Sequence, residues 1–214
     1  MGLIKNRYGS APGMAPILLL FVLGLCGCIK EVDGDNANAD SFNGKITAKV
    51  ENGASYDSKI STVWALYDAE VSNAGELIGR MLTTGNYANG EFSIDLPEIP
   101  ASFLMNIQTF FTSGLKISDE LEYSEPDARL LDVDFFGITH DNNYVDYFVY
   151  ASTGSNRTIC LFVFSDSDVS VNGSTNINVV LRQGWNRIYW TPSAGKVASN
   201  APGDLKWYLY KEIN

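Results

Sequence analysis

The residue types in this chain that do chemistry beyond packing are one histidine, a few carboxylates two positions apart, and a scatter of aromatic rings. His140 is the only histidine among 214 residues; it follows Gly137-Ile138-Thr139 and precedes Asp141. A histidine base needs a nucleophile and an orienting group within hydrogen-bond reach. No Gly-x-Ser-x-Gly elbow occurs, and the one thiol beyond the N-terminal segment, Cys160, sits in an apolar run. A loop histidine is expected, with no catalytic residue assigned. Zinc takes several His or Cys ligands, which are lacking here. Asp166, Asp168 and Ser170 stand at alternate positions as calcium ligands do, but Val171 takes the place where an EF-hand loop turns on glycine, and no acidic residue closes the loop. Asp132 and Asp134 flank Val133 and would share one strand face; paired carboxylates cleave glycosidic bonds, yet a half-exposed strand shows the same alternation. A glycosidase is therefore the lesser reading. Phosphate loops and dinucleotide fingerprints are absent, so no metal or cofactor is expected.

The aromatic residues give the better functional hint. Trp64, Trp185, Trp190 and Trp207 occur with Tyr144, Tyr147, Tyr150, Tyr189, Tyr208 and Tyr210. Exposed rings with a polar rim stack on sugars or form protein-binding patches. Trp185, Trp190 and Trp207 are the candidate ligand-binding residues. Trp185 and Tyr189 would lie on one side of a strand, with Ile188 and Trp190 on the other, so at least one side must be core.

These residues need a scaffold, and from residue 44 onward the apolar residues recur mostly with period two. The runs are Ile46 to Val50, Ile60 to Tyr67, Phe92 to Leu96, Leu131 to Phe135, Tyr144 to Tyr150, Thr158 to Phe164, Ile177 to Arg182, Trp185 to Trp190 and Leu205 to Tyr210. They are rich in β-branched and aromatic residues, with Gly, Asn, Asp, Pro or Ser between most of them. Leu77 to Leu82 and Phe103 to Phe111 are weaker candidates, and Lys116 to Tyr123 offers one short helix. Each sheet of so many strands has an apolar face to hide, which predicts an all-β antiparallel sandwich spanning 44–214 as one domain. Thr158 to Phe164 is apolar on both sides, so it predicts a central strand with Cys160 in the core. Arg182-Gln183-Gly184-Trp185 predicts a hairpin.

Ahead of this body, Lys5 and Arg7 precede the apolar run Ala15 to Leu25, too short to span about 30 Å of hydrocarbon. This reads as a signal peptide over 1–27. Leu25-Cys26-Gly27-Cys28 resembles the lipobox of bacterial lipoproteins. The resemblance implies cleavage before Cys28, acylation of Cys28 and attachment to a membrane through the lipid without crossing it. Residues 28–43, with Lys30-Glu31, Asp33 and Asp35, then read as an acidic flexible tether, similar to outer-face export signals of some Gram-negative lipoproteins. An outer-membrane location, on the periplasmic or cell-surface side, is the expectation.

The net charge of −10, from 25 acidic and 15 basic residues, argues against a nucleic-acid partner, because phosphate neutralisation needs clustered Lys and Arg. Gly44-Lys45-Ile46, Val63-Trp64-Ala65-Leu66-Tyr67-Asp68 and Gly90-Glu91-Phe92-Ser93-Ile94-Asp95-Leu96-Pro97 resemble the transthyretin-like or carboxypeptidase-regulatory-like β-sandwich, over about residues 44 to 110. An immunoglobulin-like sandwich is the other topology of this class. Leu181 to Asn186 and Leu205 to Tyr208 resemble surface lipoproteins ending in a Gly-Trp-Asn strand. These resemblances imply a non-catalytic module that binds a protein or a glycan. A fimbria-like assembly subunit is the alternative.

Overall fold

The computed structural model describes residues 42–71, 77–118, 120–133, 135–140, 143–173 and 176–210. The alternating runs become strands: β1 (Lys45–Lys49), β2 (Thr62–Val71), β3 (Leu77–Ala88), β4 (Glu91–Asp95), β5 (Met105–Asn106), β6 (Glu122–Tyr123), β7 (Arg129–Val133), β8 (Phe135–His140), β9 (Asn143–Ala151), β10 (Ile159–Ser165), β11 (Val169–Asn172), β12 (Ile177–Leu181), β13 (Gly184–Thr191), β14 (Lys196–Ala198) and β15 (Lys206–Leu209). The fold is all-β and sandwich-like, made of one continuous sheet that wraps around its own interior. Its strands run in the order β1-β4-β3-β2-β8-β9-β10-β13-β14-β12-β11-β6, with β15 on β9 and β7 on β10. Nearly all pairs are antiparallel; β12 and β14 are parallel.

β10 organises the interior. It pairs with β13 along seven residues and with β7 along four, and its alternate side chains feed two separate cores. Cys160 and Phe162 enter the first core with Leu131, Val133, Trp185 and Tyr189 from the neighbouring strands. Leu161 and Val163 enter the second with Leu130 and Ile188. The first core is completed by the inner face of β1, β4, β2, β8, β9 and β15, where Phe92, Phe136, Phe148, Phe162 and Trp207 interlock. Phe92 and Phe136 set their edges against Trp207 at 4.9 and 5.0 Å, while Tyr150 stacks on it at 5.2 Å. The first and last strands meet at this core: Val50 bridges Trp207, and the Glu51 amide donates to the Trp207 carbonyl at 2.9 Å.

Local chemistry sets the turns. Asn89 and Gly90 both have positive φ, 55° and 76°, as a two-residue I′ hairpin between β3 and β4 demands. Arg182 to Trp185 turns tightly, with Gly184 at φ 100°, and the buried Asn186 amide donates to the carbonyls of Arg182 and Gly184, each at 2.8 Å. The predicted hairpin nevertheless does not form. β14 lies between β12 and β13 and pairs with both, so the turn joins strands that have parted.

Three other expectations are corrected. Phe103 to Phe111 is a strand only at Met105–Asn106, which pairs with β7: Ile107–Thr109 is helical and runs into a π turn at Phe110–Gly114, capped where Asn106 Oδ1 accepts from the Gln108 amide at 2.8 Å. The buried residues Ile107, Phe110, Phe111 and Leu115 are spaced three, four and eight apart, a helical pattern that covers the second core. Among its described residues Lys116 to Tyr123 holds no helix; Lys116 has φ 56°, and Glu122–Tyr123 pairs with β11. Leu131 to Phe135 is divided between β7, which pairs with β10, and β8, which pairs with β2 and β9. Val133 faces the first core whereas Phe135 does not, so facing slips by one residue at the junction.

Because Trp207 is gripped by four rings, Trp207→Ala is expected to cost about 3–5 kcal/mol of folding free energy. Urea unfolding should show a lower midpoint at unchanged slope; a loss below about 1 kcal/mol would contradict this packing.

Candidate functional site

The fold places the expected ligand-binding tryptophans in its interior. Trp207 is 7% exposed within its cage of rings. Trp185 is equally covered: its indole donates to the Pro97 carbonyl at 2.8 Å and it packs against Phe164 and the Gly44 backbone. Trp190 is half-buried against the second core. The three do not form one patch, and burial removes the open ring faces that Trp185 and Trp207 would need for stacking. Cys28 lies outside the described residues, as do Asp134 and the side chain of His140. Asp166 and Asp168 do not converge on a cation. Asp166 accepts from the backbone and guanidinium of Arg129, both at 2.9 Å, and Asp168 from the Gln183 amide and Arg182, so hydrogen bonds hold both carboxyls below their usual range. A shallow recess of about 230 Å³ brings Glu120 and Glu122 to an open rim with Asn172 and Gly173. Among the described residues, no three His, Cys, Asp or Glu side chains gather as metal ligands would.

A different surface stands out, the outer face of the sheet over β15, β9, β8, β2 and β3. Directly paired residues on adjacent strands share a face. Thr84, Trp64, Gly137 and Tyr147 are in register across β3, β2, β8 and β9, and Tyr210 stacks on Tyr147 at 4.5 Å. The next row holds Met81, Leu66 and Phe135, with Phe135 set edge-on to Tyr147 at 4.8 Å. Val149 and its partner Tyr208 continue it toward β15. Met81 is 52% exposed, one of the two exposed large apolar side chains among the described residues, while Trp64, Phe135, Tyr208 and Tyr210 are half-buried.

Polar groups border this aromatic strip on both sides. Asn86, Thr62 and Thr139 form the row beyond Trp64, whose indole donates to Thr139 Oγ1 at 3.2 Å. On the other side lie two carboxylates. Asp132 sits between Leu131 and Val133, which face the first core, so it occupies the side of the sheet that carries Phe135. Asp68 lies where the β2–β3 register shifts between Tyr67 and Glu70, at φ 50°, with Arg80 3.9 Å away. A non-glycine residue at positive φ in a bulge is a strained point, often found beside binding sites. Desolvation pushes the Asp132 carboxyl up to about 6, and the Asp68 charge adds to the rise.

The sequence carries a sign of this surface that its alternation hides. In Tyr144 to Ala151, Phe148 and Tyr150 face the first core, yet the opposite face holds Tyr147, Val149 and Ala151 in place of polar residues. Doubly apolar strands are normally covered on both faces. Comparison with protein families, with curated proteins and with solved structures returns no match for this chain.

Two outcomes follow. Asp132 binds its proton more tightly folded than unfolded, so its contribution to stability is full below about pH 4 and is lost as pH rises through about 6. Asp132→Asn should match the wild type near pH 4 and exceed it by about 1–2 kcal/mol at pH 8; equal stability at both pH values would place Asp132 in bulk-like solvent. Burial likewise pushes the Cys160 thiol up to about 12, against a small opposing pull from Arg187. Native protein should resist thiol reagents that label it fully in denaturant, and fast native labelling would contradict the core position.

Proposed function

We propose that this protein is a non-catalytic binding module of the bacterial cell envelope, acylated at Cys28 and held at the outer membrane. Its working surface is the outer aromatic face of β2, β8 and β9. The observation that carries the reading is an apolar face, rich in rings, where a solvent-facing sheet ordinarily shows polar alternation. The lipobox-like Leu25-Cys26-Gly27-Cys28 and the acidic tether support the location. Lipid anchoring holds the domain near its ligand without a spanning segment. Rings set on paired strands are rigid, so a ligand that covers them costs little side-chain entropy.

A second reading, a fimbria-like assembly subunit, draws on the position of β1. Among the described residues this first strand pairs with β4 alone, and Val50 just beyond it bridges β15, yet it buries Ile46 and Ala48 in the first core. Removing it would open a slot that a strand from another copy could fill. Polymeric ladders on gels after limited proteolysis would favour this reading; a monomer with β1 intact would count against it.

The leading reading is tested in intact cells. Hydroxyl-radical labelling of Met81 and Tyr210 should fall about threefold or more relative to the purified protein, since a bound ligand covers both side chains. Cys28→Ser should abolish palmitate incorporation and return labelling to the purified level. Equal labelling in cells and in solution would refute a working role for this face.

A further inference from the structure

Resting on that reading of the outer face, we infer that its ligand is a neutral, unbranched glycan laid across the strands. Three features select this class. The first is the aromatic row: Trp64 and Tyr210 flank Gly137, which puts no side chain between them. Trp64 and Tyr147 are two strands apart, about 10 Å, and Tyr210 rests on Tyr147, so the two half-buried rings are spaced for separate sugars of one chain and not for a single small molecule.

The second is the polar border. Thr62, Thr84 and Asn86, which flank Trp64 on β2 and β3, supply hydroxyl and amide groups that donate and accept, as the hydroxyls of a sugar edge require. Arg80 at the border is paired with Asp68 at 3.9 Å, and the aromatic rows themselves hold no arginine, the residue that anchors many protein interfaces. The third is charge. The aromatic rows carry no charged side chain from Thr84 to Tyr210, and the border toward β7 sets two carboxylates, Asp68 and Asp132, against the one guanidinium of Arg80, which is 3.9 Å from Asp68, on a chain of net charge −10. Uronate-rich or sulfated chains, and anionic lipid headgroups, would be repelled there. Asp68, with Oδ2 3.9 Å from Arg80 Nε, can accept from a hydroxyl of a neutral sugar through its carboxylate, which makes it a specificity-determining residue.

The test uses the full mature protein in detergent with defined probes: cellohexaose, xylohexaose and mannohexaose as neutral chains, and hexagalacturonate as the anionic one. Titration calorimetry should show saturable binding of at least one neutral hexaose and none of the hexagalacturonate. Tyr210→Ala should weaken that binding ~tenfold, as the loss of one stacked ring predicts, with Tyr210→Phe restoring it. Asp68→Asn should reduce discrimination against hexagalacturonate while thermal unfolding shows each variant folded. Binding of hexagalacturonate as tight as that of the neutral chains would overturn the inference. So would the absence of neutral binding: if the face is then still shielded in cells, the glycan assignment falls and the binding-face reading stands, whereas an unshielded face removes both.

Discussion

Strand β10 cannot hide its apolar residues against one layer, because both of its faces are apolar. Cys160 and Phe162 point one way, Leu161 and Val163 the other, and all four are essentially inaccessible to water. A strand of this composition has to run through the middle of the protein, with a core on each side. The sheet meets that demand by wrapping: β1 to β4, β8, β9 and β15 close over the first core, while the short helical segment and β11, β12 and β14 cover the second. With no disulfide at the buried Cys160, the described domain is held by this packing.

The outer aromatic face follows from the same geometry. β9 joins β10 only at Ala151 and Ile159 before the two strands part, and Ile159 touches both the second core and the cluster around Tyr147. The second core's cover therefore ends where the face of β8 and β9 begins. Tyr147 and Val149 are shielded by their own neighbours, Phe135 and Tyr210, so among the described residues an apolar surface persists without an added layer. Asp132 occupies the border between covered and open sheet, which is why its carboxyl is desolvated while part of it still meets solvent.

Much of this was legible in the sequence, and the failures have physical causes. Period-two alternation located β1 and β4 because each has one core face and one wet face, and the apolar run at Thr158 to Phe164 marked the central strand correctly. The helical segment is hidden in the sequence because a three-residue start with a π turn is too short to display a sustained period, and the spacing of Ile107, Phe110 and Phe111 is its one trace. The parting of β12 from β13 depends on β14, twelve residues beyond the turn, and no local signal reports that contact. Trp185 and Trp207 carry large rings, but ring size favours the core as much as the surface. Trp64, Phe135 and Tyr210 come together only through register between strands distant in sequence, which alternation alone cannot supply.

The central claim is that one face of the folded domain, and no other, meets a ligand in the envelope. A photo-crosslinking amino acid at Thr84, beside Trp64, tests it most directly in living cells when compared with the same group at Glu98, which is exposed away from the strip. The account predicts strong crosslinked product from position 84 and little from position 98. Equal yields from both positions, or product from position 98 alone, would contradict it.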